Sequence, residues 1–152
     1  MIWRCRDRTF DLTGRVLVMG ILNVTPDSFS DGGRYLDPEA AIARGLALLD
    51  EGADLLDVGA ESTRPGSSAV PAEEQWRRLE PVLRGLREKR PDAVLSLDAR
   101  VAEVAERGLA LGAHVVNDVS ALSDRAMAGV VAAAGAGLVL MHMRGTPETM
   151  QQ

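Results

Sequence analysis

Asn23 precedes TPDSFSDGG at residues 25–33, and ESTRPG occupies residues 61–66. Each polar stretch follows a short apolar run that reads as a β-strand, so both are expected at the C-terminal edge of a parallel sheet, where α/β folds carry their chemistry. Gly and Pro mixed with hydroxyls and opposite charges suit loops that close over a polar, anionic ligand. Thr63 and Arg64 pair a hydroxyl with a forked guanidinium, an arrangement fit for anion recognition; the alternative is a surface arginine in a plain loop. The amide oxygen of Asn23 could meet a hard cation or a phosphate-bound water, although Asn also favours turns. Asp98 and Asn117 end two further apolar runs, and together they offer acceptors beside a donor, matching the edge of a flat aminopyrimidinone ring. The competing reading is a helix cap at Asp98 or Asp118.

Other candidate groups point to structure. Asp57, inside an apolar strand, needs a partner to offset its desolvation, and Arg64 is one possibility. His114 and His142 lack neighbouring ligands in the sequence and read as structural. Met141 and Met143 read as core fillers, or as sulfurs packing on a planar ligand. No nucleophile elbow, Walker loop or zinc motif is present.

The elements that position these residues alternate along the chain. Strands are expected at 16–24, 55–60, 94–99, 115–119 and 138–143, each an aliphatic run. Helices are expected from Asp37 and Pro38 to Gly52, from Pro71 to Glu88 with Pro81 dividing or bending it, over 101–111, and from Ser123 or Asp124 to Ala134. The second of these turns Trp76, Leu79, Leu83 and Leu86 inward. This order predicts right-handed βαβ crossovers, and 3% aromatic content predicts an aliphatic core. Polar residues at all five strand ends (Asn23, Glu61, Asp98, Asn117 and Arg144) favour a parallel (β/α)8 barrel of the TIM type over a doubly wound sheet. Such barrels take typically ~250 residues. The 152 residues are therefore expected to supply about five strands and four helices, as the N-terminal part of a single barrel domain.

Composition bounds the rest. With 17 basic and 22 acidic side chains and a net charge of −5, there is no basic stripe for nucleic acid. No apolar run reaches the ~20 residues of a membrane helix. The single cysteine, Cys5, and the absence of a signal-peptide core at the start fit a cytoplasmic protein.

Assembled, MGILNVTPDSFSDGG at 19–33, DVGAESTRPG at 57–66, SLDA at 96–99, VNDVSA at 116–121 and LMHMRGTPETMQ ending at Gln151 resemble the dihydropteroate synthase family of pterin-binding barrels. The resemblance spans almost the whole chain, and its first two segments are specific. It implies a transferase of folate biosynthesis that condenses 6-hydroxymethyl-7,8-dihydropterin diphosphate with p-aminobenzoate, with magnesium assisting departure of diphosphate. It implies Asn23 as magnesium ligand, Thr63 and Arg64 on the diphosphate, Asp98 and Asn117 on the pterin edge and Met141 lining the pterin pocket. Loops around Asp27, Ser28, Phe29 and Ser30 and around Ser62 to Pro65 would shape the p-aminobenzoate pocket. Asn23, Arg64 and Asp98 are the residues expected to carry catalysis, in a complete protein that is a homodimer. Ala99 replaces the family's usual threonine, and the family's later pterin aspartate, lysine, arginine and histidine lie on strands beyond this chain. A polypeptide of these residues alone is therefore expected to be inactive. Two other readings are a pterin-binding methyltransferase barrel, which the segments at 25–33 and 61–66 disfavour, and a non-catalytic half-barrel module.

Overall fold

Five parallel strands lie side by side in chain order, the arrangement produced when every crossover runs in the same direction and helices cover one face. The computed structural model describes residues 1–26, 37–62 and 69–142. Arg144, Met143, Asp27, Ser28, Phe29, Ser30, Thr63, Arg64 and Pro65 lie outside the described residues. A hairpin of β1 (Ile2–Cys5) and β2 (Arg8–Asp11) precedes β3 (Met19–Asn23), α1 (Pro38–Asp50), β4 (Leu55–Gly59), α2 (Ala72–Lys89), β5 (Leu95–Asp98), α3 (Ala102–Ala110), β6 (Val115–Asp118), α4 (Met127–Ala134) and β7 (Gly137–Leu140). The strand and helix alternation expected from the sequence is present, as an arc of a parallel barrel.

Period-two alternation divides the strands between two faces. Leu22, Leu56, Val58, Leu95, Leu97 and Val116 join Ile42 of α1, Leu79, Leu83 and Leu86 of α2 and Val104 of α3 in one aliphatic core. Each such side chain contributes about 1.5–3 kcal/mol when fully buried. Asp37 caps α1 through its Oδ1, which accepts from the backbone N–H groups of Glu39 (3.0 Å) and Ala40 (3.2 Å). Pro38 supplies the first turn, and Gly52 leaves the helix at a φ of +113° that disfavours any side chain.

Several expectations are corrected. The first strand begins at Met19, not Val16: Val16 is 85% exposed, and the Val18 N–H bonds to the Asp54 carboxylate at 2.8 Å instead of entering the ladder. Pro81 neither divides nor ends α2, which is continuous from Ala72 to Lys89, because Pro81 lies on its exposed side. Trp76 packs against the core as expected but is half-buried, with the Arg107 guanidinium 5.4 Å over its ring, while Gln75, not expected inside, is buried and donates to the Val70 carbonyl at 2.8 Å. The fourth helix starts at Met127 rather than at Ser123 or Asp124. Asp124 instead accepts from the Ala102 N–H at 2.8 Å, closing the start of α3, and from the Ala126 N–H at 3.0 Å.

The hairpin is not foreseen in the sequence, since Ile2 on the exposed face and Arg8 on the half-buried one obscure the alternation in IWRC and RTFD. Cys5, Leu55, Val94 and Val115 form a second apolar cluster with Trp3, Phe10 and Met19 at the N-terminal end of the sheet. Gly137 permits this packing: a Cβ there would stand 2.5 Å from the Cys5 sulfur and 2.9 Å from the Trp3 ring. Arg6 fixes the turn by donating to the carbonyls of Leu109 (2.7 Å) and Ala113 (2.8 Å).

Candidate active site

Register brings the polar strand ends together. Asn23 pairs with Gly59, Gly59 with Asp98, Asp98 with Asn117, and Asn117 with Val139. Side chains of register partners in a parallel sheet point the same way, so Asn23, Asp98 and Asn117 share the face opposite the helices, at the C-terminal end of the strands. The row behind it holds Ile21, Asp57, Ser96, Val115 and Gly137. Polar side chains from both rows thus meet on the inner face, above the apolar cluster sealed by the hairpin.

Asp57 is 3% exposed, and both of its carboxylate oxygens are taken. Ser96 Oγ donates to Oδ1 at 2.6 Å, and Asn117 Nδ2 donates to Oδ2 at 2.8 Å. These are its partners among the described residues; Arg64, considered from sequence, lies outside them. Burial raises the Asp57 pKa and the two hydrogen bonds oppose that rise. A repeat of polar residues two positions behind the strand ends, Asp57 behind Gly59 and Ser96 behind Asp98, is the signal that identifies this layer.

Asp98 differs. Gly59 gives it room, since a Cβ on Gly59 would lie 2.9 Å from Asp98 Oδ2 and 3.0 Å from its Cβ. Among the described residues no hydrogen-bond donor contributes to holding its charge. Burial, followed by the negative charges of Asp57, Glu61 and Asp118, pushes its pKa up to about 7, against the opposing pull of Arg100. Neither Asp98 nor Asp118 caps a helix: Asp118 faces the helices and holds the turn after β6, accepting from the Ser120 N–H (2.9 Å), Ser120 Oγ (2.6 Å) and the Leu122 N–H (2.8 Å), and the next helix begins only at Met127 with no side-chain cap.

A raised folded-state pKa means that the folded protein binds the proton more tightly than the unfolded chain. Stability from this group is full below pH 4 and is lost as pH rises toward 7. Asp98→Asn should therefore leave the melting temperature unchanged at pH 4 and raise it at pH 8 by on the order of 10 °C, which paired thermal melts at the two pH values check.

Glu61, just past β4, is held by Arg100 through two bonds, Nε to Oε2 at 2.9 Å and Nη2 to Oε1 at 2.5 Å. It also accepts from the Val70 N–H at 3.0 Å. This forked ion pair, unremarked in the sequence, joins the end of β4 to the approaches of α2 and α3. Ser62 is half-buried beside it. Asn23 is exposed at the end of β3, and Met141 is exposed just after β7, its N–H donating to the Asp118 carbonyl at 3.2 Å. His114 is buried, with Nδ1 accepting from the Leu95 N–H at 3.2 Å, a structural role as expected; His142 is exposed. Among the described residues no group of three His, Cys, Asp or Glu side chains is placed to hold a metal. Asn23 accordingly offers a cation one amide oxygen.

A family model described as pterin binding enzyme matches residues 19–152. The dihydropteroate synthase of Neisseria meningitidis serogroup B is 48% identical over 137 residues, which cover 88% of this chain and 47% of that protein. The structure of Xanthomonas albilineans dihydropteroate synthase with 4-aminobenzoic acid superposes with a TM-score of 0.86 at 49% identity, covering 95% of this chain and 52% of the other. The same enzyme in complex with 7,8-dihydropteroate gives a TM-score of 0.81 at 44% identity, with coverage of 95% and 52%. The chain thus spans about half the length of these relatives.

Proposed function

This chain belongs to the pterin binding enzyme family, and from that premise we propose that it is the N-terminal half of a dihydropteroate synthase barrel. The protein would join 6-hydroxymethyl-7,8-dihydropterin diphosphate to p-aminobenzoate, giving 7,8-dihydropteroate and diphosphate. The observation that carries this reading is the shared row of Asn23, Asp98 and Asn117 at the strand ends. The names of the relatives favour it over methyl transfer on a similar barrel.

In this reading the ionised Asp98 carboxylate accepts from the ring's donors, and Asn117 completes the edge. Met141 packs on the ring face. Thr63 and Arg64 take the diphosphate, while Asp27, Ser28, Phe29, Ser62 and Pro65 surround p-aminobenzoate. The carbon–oxygen bond to diphosphate breaks with its electron pair leaving on oxygen, the ring stabilises the resulting cation, and the amine nitrogen attacks that carbon and loses a proton. Leaving-group stabilisation and exclusion of water are what the protein must provide. The single oxygen of Asn23 suits Mg²⁺, which retains most of its waters and takes substrate phosphate oxygens. Magnesium when bound neutralises charge on the departing diphosphate. No helix among the described residues is long and apolar enough to cross a membrane, and the reading extends to a cytoplasmic homodimer of the complete protein.

The test is formation of dihydropteroate from the two substrates by the protein expressed from its full reading frame, with and without EDTA. Failure to form product with Mg²⁺ present would overturn the proposal. Residues 1–152 expressed alone should give no detectable turnover. Among the described residues β3 and β7 are paired on one side only, and Val16, Val18, Ile21 and Leu140 are exposed at or beside those edges. Turnover comparable to that of the full reading frame would refute this expectation.

A further inference from the structure

We propose that Asp57 is a positioning residue that sets the specificity of the pterin site by fixing which way the Asn117 amide faces. The inference rests on the pterin reading above and adds a residue that does not touch the ligand. Asp57 is buried one row behind Asp98 and Asn117, and Ser96 and Asn117 each donate to one of its oxygens, so it acts on the ring through Asn117.

The chemistry follows from the difference between an amide and a carboxylate. An ionised carboxylate only accepts hydrogen bonds, whereas the two branches of an amide differ, one donating and the other accepting. Facing Asp57 Oδ2 at 2.8 Å, Asn117 must present its nitrogen. Its Oδ1 and second N–H are then what it offers on the inner face, beside the register partner Asp98. Ser96 donates at 2.6 Å to the other Asp57 oxygen and holds the carboxylate in place. Reversing the amide would set two oxygens against each other. The site therefore presents carboxylate and amide oxygens side by side, and it selects a ring edge that carries adjacent N–H donors. A ring lacking the exocyclic amine leaves one of those oxygens unpaired.

Asp57→Asn keeps the shape of the side chain. With Ser96 still donating to its oxygen, the new amide turns its nitrogen toward Asn117, which must reverse and offer nitrogen to the ligand. Asn117→Asp alone would place two carboxylates in contact. Combining Asp57→Asn with Asn117→Asp restores a donor facing an acceptor, returns an oxygen to the ring and leaves the net charge of the pair unchanged.

The experiment titrates 6-hydroxymethylpterin and its 2-desamino analogue into the protein from the full reading frame, with thermal melts in parallel. Each single substitution should weaken pterin binding by about 30-fold, and Asp57→Asn should narrow the preference for pterin over the desamino ring. The double substitution should recover affinity to within about threefold of the unmodified protein. Unchanged pterin affinity in Asp57→Asn, or a double substitution that binds no better than the weaker single, would overturn the proposal. If Asp57→Asn alone does not fold, the comparison of the double substitution with Asn117→Asp decides the matter in the same way. An unmodified protein that binds no pterin would refute the underlying functional reading, an outcome distinct from loss confined to the variants.

Discussion

Asp98→Ala in the protein from the full reading frame should lower kcat/KM for the pterin diphosphate by about 10²- to 10⁴-fold. Two hydrogen bonds to an ionised carboxylate contribute about 1.5–3 kcal/mol each, and a factor of ten corresponds to about 1.4 kcal/mol. The loss should appear equally in the dissociation constant for a non-reacting pterin, because alanine leaves the ring's donors buried without acceptors. Unfolding is not the expected cause. Burial and the charges of Asp57, Glu61 and Asp118 push the Asp98 pKa up to about 7, so its removal relieves desolvation and repulsion at neutral pH and above. Steady-state kinetics beside thermal melts separate the two effects. A variant that retains its melting temperature and binds pterin within threefold of the parent would remove Asp98 from the site.

Gly59→Val should reduce pterin affinity by about 100-fold while leaving Asp98 chemically intact. The glycine lies under Asp98 in register, and even the first carbon added would stand 3.0 Å from Asp98 Cβ. Carbon atoms settle at about 3.5–4.0 Å. Asp98 Cβ is attached directly to the strand backbone, so rotation about the side chain cannot relieve the clash. The β4 to β5 spacing must change and the carboxylate must move. Gly59→Ala, lacking the two outer methyl groups, should show a smaller loss of about tenfold, with a stability cost of about 1–3 kcal/mol for overpacking. Ligand titration and denaturant unfolding of both variants give the check, and equal affinity in all three proteins would contradict the steric argument.

These two residues mark how far the sequence could be read. Asp98 was legible because it stands where an apolar run ends, and strand periodicity alone puts such a residue at the functional edge of a parallel sheet. The Asp37 and Pro38 helix start was legible for a similar reason, since capping is local chemistry. Gly59 was not, because its function lies in the space it leaves for a residue on the next strand. Asp57 was visible as a buried charge, but its partners lie 39 and 60 positions away and meet it only through strand register. The hairpin escaped for a local reason: alternation in IWRC and RTFD is broken by Ile2 on the exposed face and Arg8 on the half-buried one. Asp124 was read as the cap of the following helix, whereas it accepts from the first residue of the preceding one, a choice made by packing of α3 beside α4.

The sheet's spatial order, β3 to β7, is also its order along the chain. During synthesis each newly emerged strand finds its neighbour already outside the ribosome, so assembly can proceed vectorially, with every step closing only the loop through one helix. No strand must wait for a distant segment before it pairs, and the growing margin offers a template to whatever the ribosome delivers next.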